Sequence, residues 1–176
     1  MDDRAQALLD KCEICCLLCQ KASARWSLLK FVLNIPLILT SSIMCVMNSM
    51  STEEYSMKMP NVIVNGVSVF VMSINNNLKC AEKFELFKSL SNSYLGLAHA
   101  IESYDEDSLT REKINDLTEK YDVLVGNTPF EDIPNSIKNT VIQINAGRAM
   151  PMHLNGGFYG KKRESSELSS VKASIV

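Results

Sequence analysis

The chain has 176 residues, enough for one domain with a hydrophobic core, and its mean hydropathy of +0.00 excludes a protein with many membrane spans. A net charge of −2 and a pI near 5.7 argue against nonspecific nucleic-acid binding, which needs a basic surface. Two histidines leave little material for histidine-based catalysis or metal binding, and seven glycines with five prolines favour helices over strands and turns.

The first predicted element is an amphipathic helix over residues 3–26. The N-terminus opens with acidic residues and lacks a short apolar core, so we expect no signal peptide and a reducing compartment for the cysteines. Along this helix, apolar or small residues recur at intervals of three and four, the spacing of a heptad seam. The members of the seam are Ala5, Leu8, Cys12, Cys15, Cys19, Ala22 and Trp26.

Four of the six cysteines lie close together, at Cys12, Cys15, Cys16 and Cys19. On a helix they form one stripe, which favours packing of small, polarisable side chains. Cys12 and Cys19 stand about 10 Å apart along a straight helix, so one tetrahedral zinc ion would need thiols from a second chain. Palmitoylation of the four thiols is the other open alternative, because an apolar segment follows within a few turns.

Two apolar segments come next, at about residues 28–47 and 59–77. The first has no charge from residue 31 to 47 and is about long enough to cross a bilayer core, which needs roughly 20 residues. The second is a marginal crossing, and its β-branched content also fits a buried strand. We expect a two-pass transmembrane hairpin whose polar residues face its interior or a pore, namely Asn34, Thr40, Ser41, Ser42, Asn65 and Ser68.

Basic residues flank the predicted hairpin. They precede it at Arg4, Lys11, Lys21, Arg25 and Lys30, and follow it at Lys79, Lys83 and Lys88. The loop between the segments has one lysine and two glutamates. The positive-inside rule therefore places both termini in the cytosol. Trp26 and Tyr55 stand where aromatic residues mark a membrane interface.

A second long amphipathic helix is predicted over residues 78–104, with its own seam at three- and four-residue intervals. Two such seams, one on each side of an apolar hairpin, are expected to pack together or to drive oligomerisation. The residues of this helix-pair seam are Leu8, Cys12, Cys15, Cys19, Phe87, Leu90, Tyr94, Leu97 and Ile101.

The rest of the chain is predicted to hold two shorter helices. An acidic turn at residues 105–107 starts the first, Gly126 caps it, and its apolar stripe consists of Ile114, Leu117, Tyr121 and Leu124. The second covers residues 135–144, where a strand is the alternative. Residues 145–160 are expected to be irregular and 161–176 a polar tail. We expect His99 to be packed or hydrogen-bonded and His153 to lack a partner.

This layout resembles the SLATT family of two-transmembrane proteins over roughly residues 5–105. The resemblance rests on a helix ending at Arg25 and Trp26, a two-segment hairpin, and a long helix carrying Leu90 and Tyr94. It implies a membrane effector that forms pores in nucleotide-signalled defence systems. Similar proteins occur alone in large DNA viruses, and we expect no attached nucleotide-sensing or nuclease domain here, which leaves room for a structural role.

Together these patterns predict an all-α, two-pass membrane protein with long cytosolic helices. Its expected divisions are 1–105 for the helix–hairpin–helix region, 106–160 for an extension and 161–176 for a tail. We expect no enzymatic activity, catalytic residues, cofactor or metal. The expected partners are the lipid bilayer and further copies of the chain, acting as a pore-forming or membrane-perturbing effector. The alternative is a membrane-anchored scaffold, such as a minor capsid protein at a virion inner membrane, which binds capsid or other scaffold proteins.

Overall fold

A computed structural model of the chain describes residues 3–50, 58–104 and 110–155, and within these ranges the protein is helical and contains no strand. This confirms the predicted all-α class for the described residues. The predicted boundary at residue 105, the acidic turn at 105–107, Tyr55 and the tail at 161–176 lie outside them. The helices are α1 (Asp3–Met50), α2 (Lys58–Leu78), α3 (Cys80–Glu102), α4 (Arg111–Asn127), a 3-10 turn (Phe130–Asp132), α5 (Asn135–Ile144) and α6 (Met152–Asn155).

The predicted N-terminal helix and first apolar segment form a single helix, α1, of 48 residues. At 1.5 Å per residue its length is about 70 Å. Pro36 lies inside it and cannot donate a backbone hydrogen bond. Thr40 lies one turn after Pro36, and its hydroxyl donates to the carbonyl oxygen of Pro36 at 2.8 Å. The elements predicted over residues 3–26 and 28–47 therefore form one continuous helix in the structure.

The second apolar segment is helix α2, so the strand alternative for this segment is wrong. Lys79 separates α2 from α3 and has a φ of 48°, in the left-handed region that side chains with a Cβ rarely adopt. Its backbone N–H still donates to the carbonyl of Asn75 at 3.1 Å, and its own carbonyl accepts from Lys83 at 3.0 Å. The helical hydrogen bonding therefore continues across a local break in backbone direction.

Three sequence predictions about the later part of the chain need correction. Gly126 does not cap α4, because the helix continues to Asn127 and Thr128 is its C-cap. The Thr128 hydroxyl donates to the carbonyl of Leu124 at 2.8 Å, which satisfies an acceptor in the last turn. Residues 145–160 are not wholly irregular, since α6 forms a helical turn after Gly147, whose φ is 100°. The strand alternative for 135–144 is also wrong, as this segment is α5.

By its internal contacts the chain divides into two compact units. We call Met1–Lys21 with Ser89–Val176 the bundle unit and Ala22–Lys88 the apolar unit. The bundle unit has a continuous buried core contributed by α1, α3, α4 and α5, with Ile14, Leu18, Tyr94, Ile101 and Val141 among its most buried side chains. Ser91 is buried between α3 and α1, where its hydroxyl lies 3.4 Å from the carbonyl oxygen of Cys16.

Candidate membrane-spanning region

The apolar unit exposes large apolar side chains along both of its long helices. On α1 and α2 most side chains of the two predicted segments face outward, with exposed fractions that reach 65% for Ile38 and 69% for Val62. A contiguous apolar surface of this kind marks a site that contacts lipid or another protein. The exposed residues are Leu28, Phe31, Val32, Ile38, Leu39, Ile43 and Val46 on α1, and Val62, Ile63, Val67, Val69, Phe70, Met72 and Leu78 on α2.

Each apolar helix also has one stripe of less exposed side chains. The two stripes step by three and four residues, as helices that pack side by side do. One contact between the helices is the hydrogen bond that Asn75 Nδ2 donates to Asn34 Oδ1 at 3.4 Å. The stripes consist of Lys30, Leu33, Leu37, Thr40 and Met44 on α1, and Asn61, Val64, Ser68, Val71 and Asn75 on α2.

Four of the six residues predicted to face the hairpin interior or a pore have hydrogen-bond partners within the apolar unit. Asn34 accepts from Asn75, as described above. Thr40 and Ser42 donate to backbone carbonyls one turn earlier, each at 2.8 Å. Asn65 Nδ2 donates to Asn61 Oδ1 at 3.4 Å. The hydroxyl protons of Thr40 and Ser42 are thus satisfied locally, whereas each of the two asparagine amides uses only part of its hydrogen-bonding capacity.

The two remaining predicted residues differ in position. Ser41 is exposed on α1, and Ser68 belongs to the half-buried stripe of α2. The structure therefore places Asn34, Thr40 and Ser68 toward the less exposed side of the helices, and Ser41, Ser42 and Asn65 on exposed faces. The six residues do not line one common surface.

Among the described residues, α1 is the one helix that is long and apolar enough to cross a membrane, and none of its most apolar 18-residue window is buried within the protein. Helix α2 is not apolar enough to meet the same requirement of length and mean hydropathy. It contains five asparagines, three of them consecutive at positions 75–77. Their polar amides lower the mean hydropathy of α2 despite its valine-rich centre. This agrees with the marginal crossing predicted from the sequence.

Lysines and aromatic rings lie together where the apolar region begins. The ammonium of Lys83 lies 4.7 Å from the centre of the Trp26 ring. Lys30 and Lys88 lie 5.9 and 5.7 Å from the centre of the Phe84 ring. All five residues belong to the apolar unit, and we call them the basic–aromatic collar. Cation–π contacts of this length are favourable and hold the lysines near the rings.

The cysteine stripe of α1 lies inside the bundle unit. Cys12, Cys15 and Cys19 are completely buried, and Cys16 is nearly so. Burial raises the pKa of Cys12 and Cys19 to about 12 and that of Cys15 to about 11. A thiol must be accessible and ionised to react readily. The geometry therefore favours the packing interpretation, and palmitoylation stays a prediction that requires the stripe to become exposed first.

The structure buries all nine residues of the predicted helix-pair seam. Within the bundle unit, Cys16 Sγ lies 3.5 Å from the Ser91 hydroxyl, and Cys15 Sγ lies 3.9 Å from the Tyr121 hydroxyl. The rings of Tyr94 and Tyr121 meet edge to face at 6.2 Å. The stripe that α4 was predicted to present thus packs against the cysteines, with Tyr121 at the point of contact.

Two ion pairs of the bundle unit were not predicted from the sequence. Arg148 forms an ion pair with Asp10 at 2.6 Å and another with Glu13. Burial acts to raise the Asp10 pKa, but hydrogen bonds from Arg148 and from the Ala149 backbone N–H lower it below its ordinary value. Residues 135 or more positions apart carry no sequence signal for such a pair.

One histidine differs from its prediction and the other agrees with it. His153 does have a partner, since its ring stacks on Phe130 with 4.8 Å between ring centres. The prediction that His99 is packed or hydrogen-bonded is confirmed by its hydrogen bond, since Nδ1 lies 3.3 Å from Glu102 Oε2 while the side chain is exposed. Neither histidine lies near the cysteine stripe in any contact that the structure records. In the ranges 3–50, 58–104 and 110–155, no group of three or more His, Cys, Asp or Glu side chains is arranged to hold a metal ion.

Comparison with known proteins adds no relative: no protein-family model, no curated protein and no solved structure matches the chain. The resemblance to the SLATT family therefore stays a prediction. Inferences about function come from the geometry of this chain alone, above all from the exposed apolar surface of α1 and α2.

Proposed function

We propose that this chain is a non-enzymatic integral membrane protein whose apolar unit inserts into a bilayer as a two-pass helical hairpin. One observation carries the proposal. The side chains of α1 and α2 that the unit leaves exposed are mostly large and apolar, and α1 has no charge between residues 31 and 46. In water such a surface would drive aggregation, whereas lipid covers it without cost.

The orientation proposed for this hairpin follows from charge. Basic residues flank the apolar segments on the side of both chain termini, and one lysine with two glutamates occupies the connection between them. The positive-inside rule then supports a cytosolic location for both termini. The Asn34–Asn75 hydrogen bond supports pairing of the two helices in lipid, because each amide group compensates part of the other's desolvation.

Two roles are compatible with such a hairpin, a self-assembled pore and a membrane anchor for a scaffold. The pore role would use the polar side chains of α1 and α2 to line water. The hydroxyls of Thr40 and Ser42 and the amides of Asn34 and Asn65 instead bond within the apolar unit. Groups satisfied in this way tolerate lipid contact. This observation favours the anchor, with the bundle unit as the part that binds other proteins or further copies.

The experiment is extraction followed by a leakage assay on the full chain. Membranes from cells expressing the protein are washed with alkaline carbonate, and the purified protein is then reconstituted into vesicles loaded with a self-quenching dye. We expect the protein to resist carbonate and to leave the vesicles intact. Release of the protein into the carbonate wash would refute membrane insertion. Dye release that scales with protein density would establish the pore role and refute the anchor.

A further inference from the structure

We infer that the basic–aromatic collar is a binding site for the headgroup of an anionic phospholipid. This inference rests on the proposed membrane insertion and specifies which lipid the inserted protein recruits. The collar consists of Trp26, Lys30, Lys83, Phe84 and Lys88. Three lysines gather around two aromatic rings, with ammonium-to-ring distances of 4.7 to 5.9 Å.

The charge of this region is complementary to an anionic headgroup. Arg25 adds a further cation on α1, Lys79 lies between α2 and α3, and Glu82 and Glu85 are the acidic residues of this part of α3. Glu82 pairs with Lys79 at 3.2 Å. The sequence of this region thus contains more basic than acidic side chains. Lysines beside an anionic membrane surface attract phosphate and carboxylate groups strongly.

The position of the collar along the helices suits a lipid headgroup. Lys30 directly precedes the charge-free stretch of α1, and Lys83 and Lys88 follow α2 within a few turns. Long lysine side chains can bury their methylene stems along apolar surface and extend their ammonium groups to the interface. Trp26 and Phe84 provide aromatic rings at the same boundary, where amphipathic rings prefer to lie.

A groove on α1 gives the lipid a place to bind. It has a volume of about 460 Å³, in the range of small-molecule sites. Lys30 supplies the cation, the serine and asparagine supply polar groups, and the other side chains are apolar, so the groove fits a headgroup with the start of an acyl chain. Its lining residues are Ala24, Ser27, Leu28, Lys30, Phe31 and Asn34.

The indole of Trp26 adds an unsatisfied donor. Its Nε1 is buried and has no hydrogen-bond partner in the described part of the chain. An indole N–H that is removed from water usually finds an acceptor. The Lys83 ammonium lies over the same ring, so an anionic headgroup drawn to Lys83 would bring phosphate oxygens to the vicinity of this donor.

Trp26 is the single tryptophan of the chain, which makes its fluorescence a reporter of this site alone. The full chain is reconstituted into phosphatidylcholine vesicles that contain increasing fractions of either phosphatidylserine or phosphatidylcholine brominated at the same acyl position. A lysine near an anionic surface is worth about a fivefold change in affinity. We therefore expect brominated phosphatidylserine to quench Trp26 at a mole fraction at least about fivefold lower than brominated phosphatidylcholine.

Three variants locate the effect. Replacing the collar lysines with glutamine, as K30Q/K83Q/K88Q, should remove the preference for phosphatidylserine, and the charge-conserving K30R/K83R/K88R should keep it. The matched control K113Q/K120Q/K138Q removes the same charge from the bundle unit and should keep the preference too. Carbonate extraction of each variant verifies that it is inserted, so loss of preference is not confused with misfolding.

The outcomes separate the two proposals. Quenching by both lipids at the same mole fraction overturns the headgroup site and leaves membrane insertion standing. Quenching by neither lipid, together with release by carbonate, overturns membrane insertion itself. Loss of the preference on adding inorganic phosphate, at an ionic strength matched with chloride, shows a site for soluble anions and overturns the lipid assignment. Preference lost in K30Q/K83Q/K88Q alone supports the inference.

Discussion

An aspartate in the middle of each apolar helix, as Ile38→Asp with Val69→Asp, tests whether these helices lie in lipid. The two side chains are 65% and 66% exposed, so the substitutions disturb little packing within the protein. The matched control is Val123→Asp with Ile144→Asp in the bundle unit, where the side chains are 58% and 62% exposed. In water, each of the four changes is a surface substitution worth at most about 0.5 kcal/mol.

In a bilayer the two pairs should differ strongly. Residues 28–47 contain eleven Leu, Ile, Val and Phe residues, and residues 59–77 contain eight. At about 0.3–0.6 kcal/mol for each, these residues favour insertion by about 3–7 and 2–5 kcal/mol. One aspartate near the centre of a span costs about 2.5–3.5 kcal/mol. It therefore cancels about half or more of the favourable free energy of each helix.

The assay is the carbonate-resistant fraction of each protein, measured on the same membrane preparation. We expect the wild type and the Val123→Asp/Ile144→Asp control to remain with the membrane. The Ile38→Asp/Val69→Asp variant should move largely into the wash or into aggregates. Equal retention of all three proteins would refute the reasoning, because it would mean that the exposed apolar surface is not covered by lipid. Equal release of the control would show that bundle stability, not lipid contact, governs retention.

Three further predictions concern the bundle unit and use thermal or urea unfolding followed by circular dichroism. Tyr94→Phe removes the hydrogen bond that the Tyr94 hydroxyl donates to Thr128 Oγ1 at 2.9 Å, since Thr128 already donates elsewhere. We expect a loss of about 1 kcal/mol, which should nearly disappear in a Thr128→Val background; an undiminished loss would mean that the hydroxyl has another partner. Arg148→Met should destabilise by about 1 kcal/mol at pH 7. The lowered pKa of Asp10 means that its contribution is present above about pH 4 and lost as pH falls through the folded pKa, so the difference between wild type and variant should shrink as pH falls below about 4; a difference independent of pH would contradict the ion pair. Burial raises the Cys19 pKa from 9.0 to about 12, so the unfolded state ionises first and stability falls above pH 9 by about 1.4 kcal/mol per pH unit for this thiol. Cys19→Ala should flatten that decline, and an unchanged slope would show that the thiol does not titrate between the two states.

The periodic parts of the fold were predictable from the sequence. The three- and four-residue spacing around Tyr94 and the stripe from Ile114 to Tyr121 fix which side of each helix is buried, and the structure buries those sides. The continuity of α1 across residues 26–28 was not predicted, because the heptad seam of residues 3–26 and the uncharged apolar segment of residues 28–47 differ in pattern and were assigned to separate elements. Within the apolar segment the hydroxyls of Thr40 and Ser42 donate to carbonyls one turn earlier, whereas Pro36 has no N–H to donate to the carbonyl of Val32.

The contacts between residues far apart in the sequence could not be predicted from local periodicity. The pairing of Arg148 with Asp10 and the stacking of His153 on Phe130 depend on how the chain returns after α5, and no local periodicity encodes that path. The collar was visible only in outline. Flanking lysines and Trp26 were evident as an interfacial pattern, but the grouping of Lys30 and Lys88 around Phe84 requires that α1 and α3 approach each other within the apolar unit.

The hydrogen bonds of the Thr40 and Ser42 hydroxyls change how polar the surface of α1 is toward the surrounding solvent or lipid. Hydrophobicity scales assign each threonine or serine a fixed free energy of desolvation, as if its hydroxyl had no hydrogen-bond partner within the protein. Here each of these protons is already directed at a main-chain oxygen, so neither hydroxyl presents an unpaired donor to its surroundings. The middle of this helix is therefore more hydrophobic than its amino-acid composition implies.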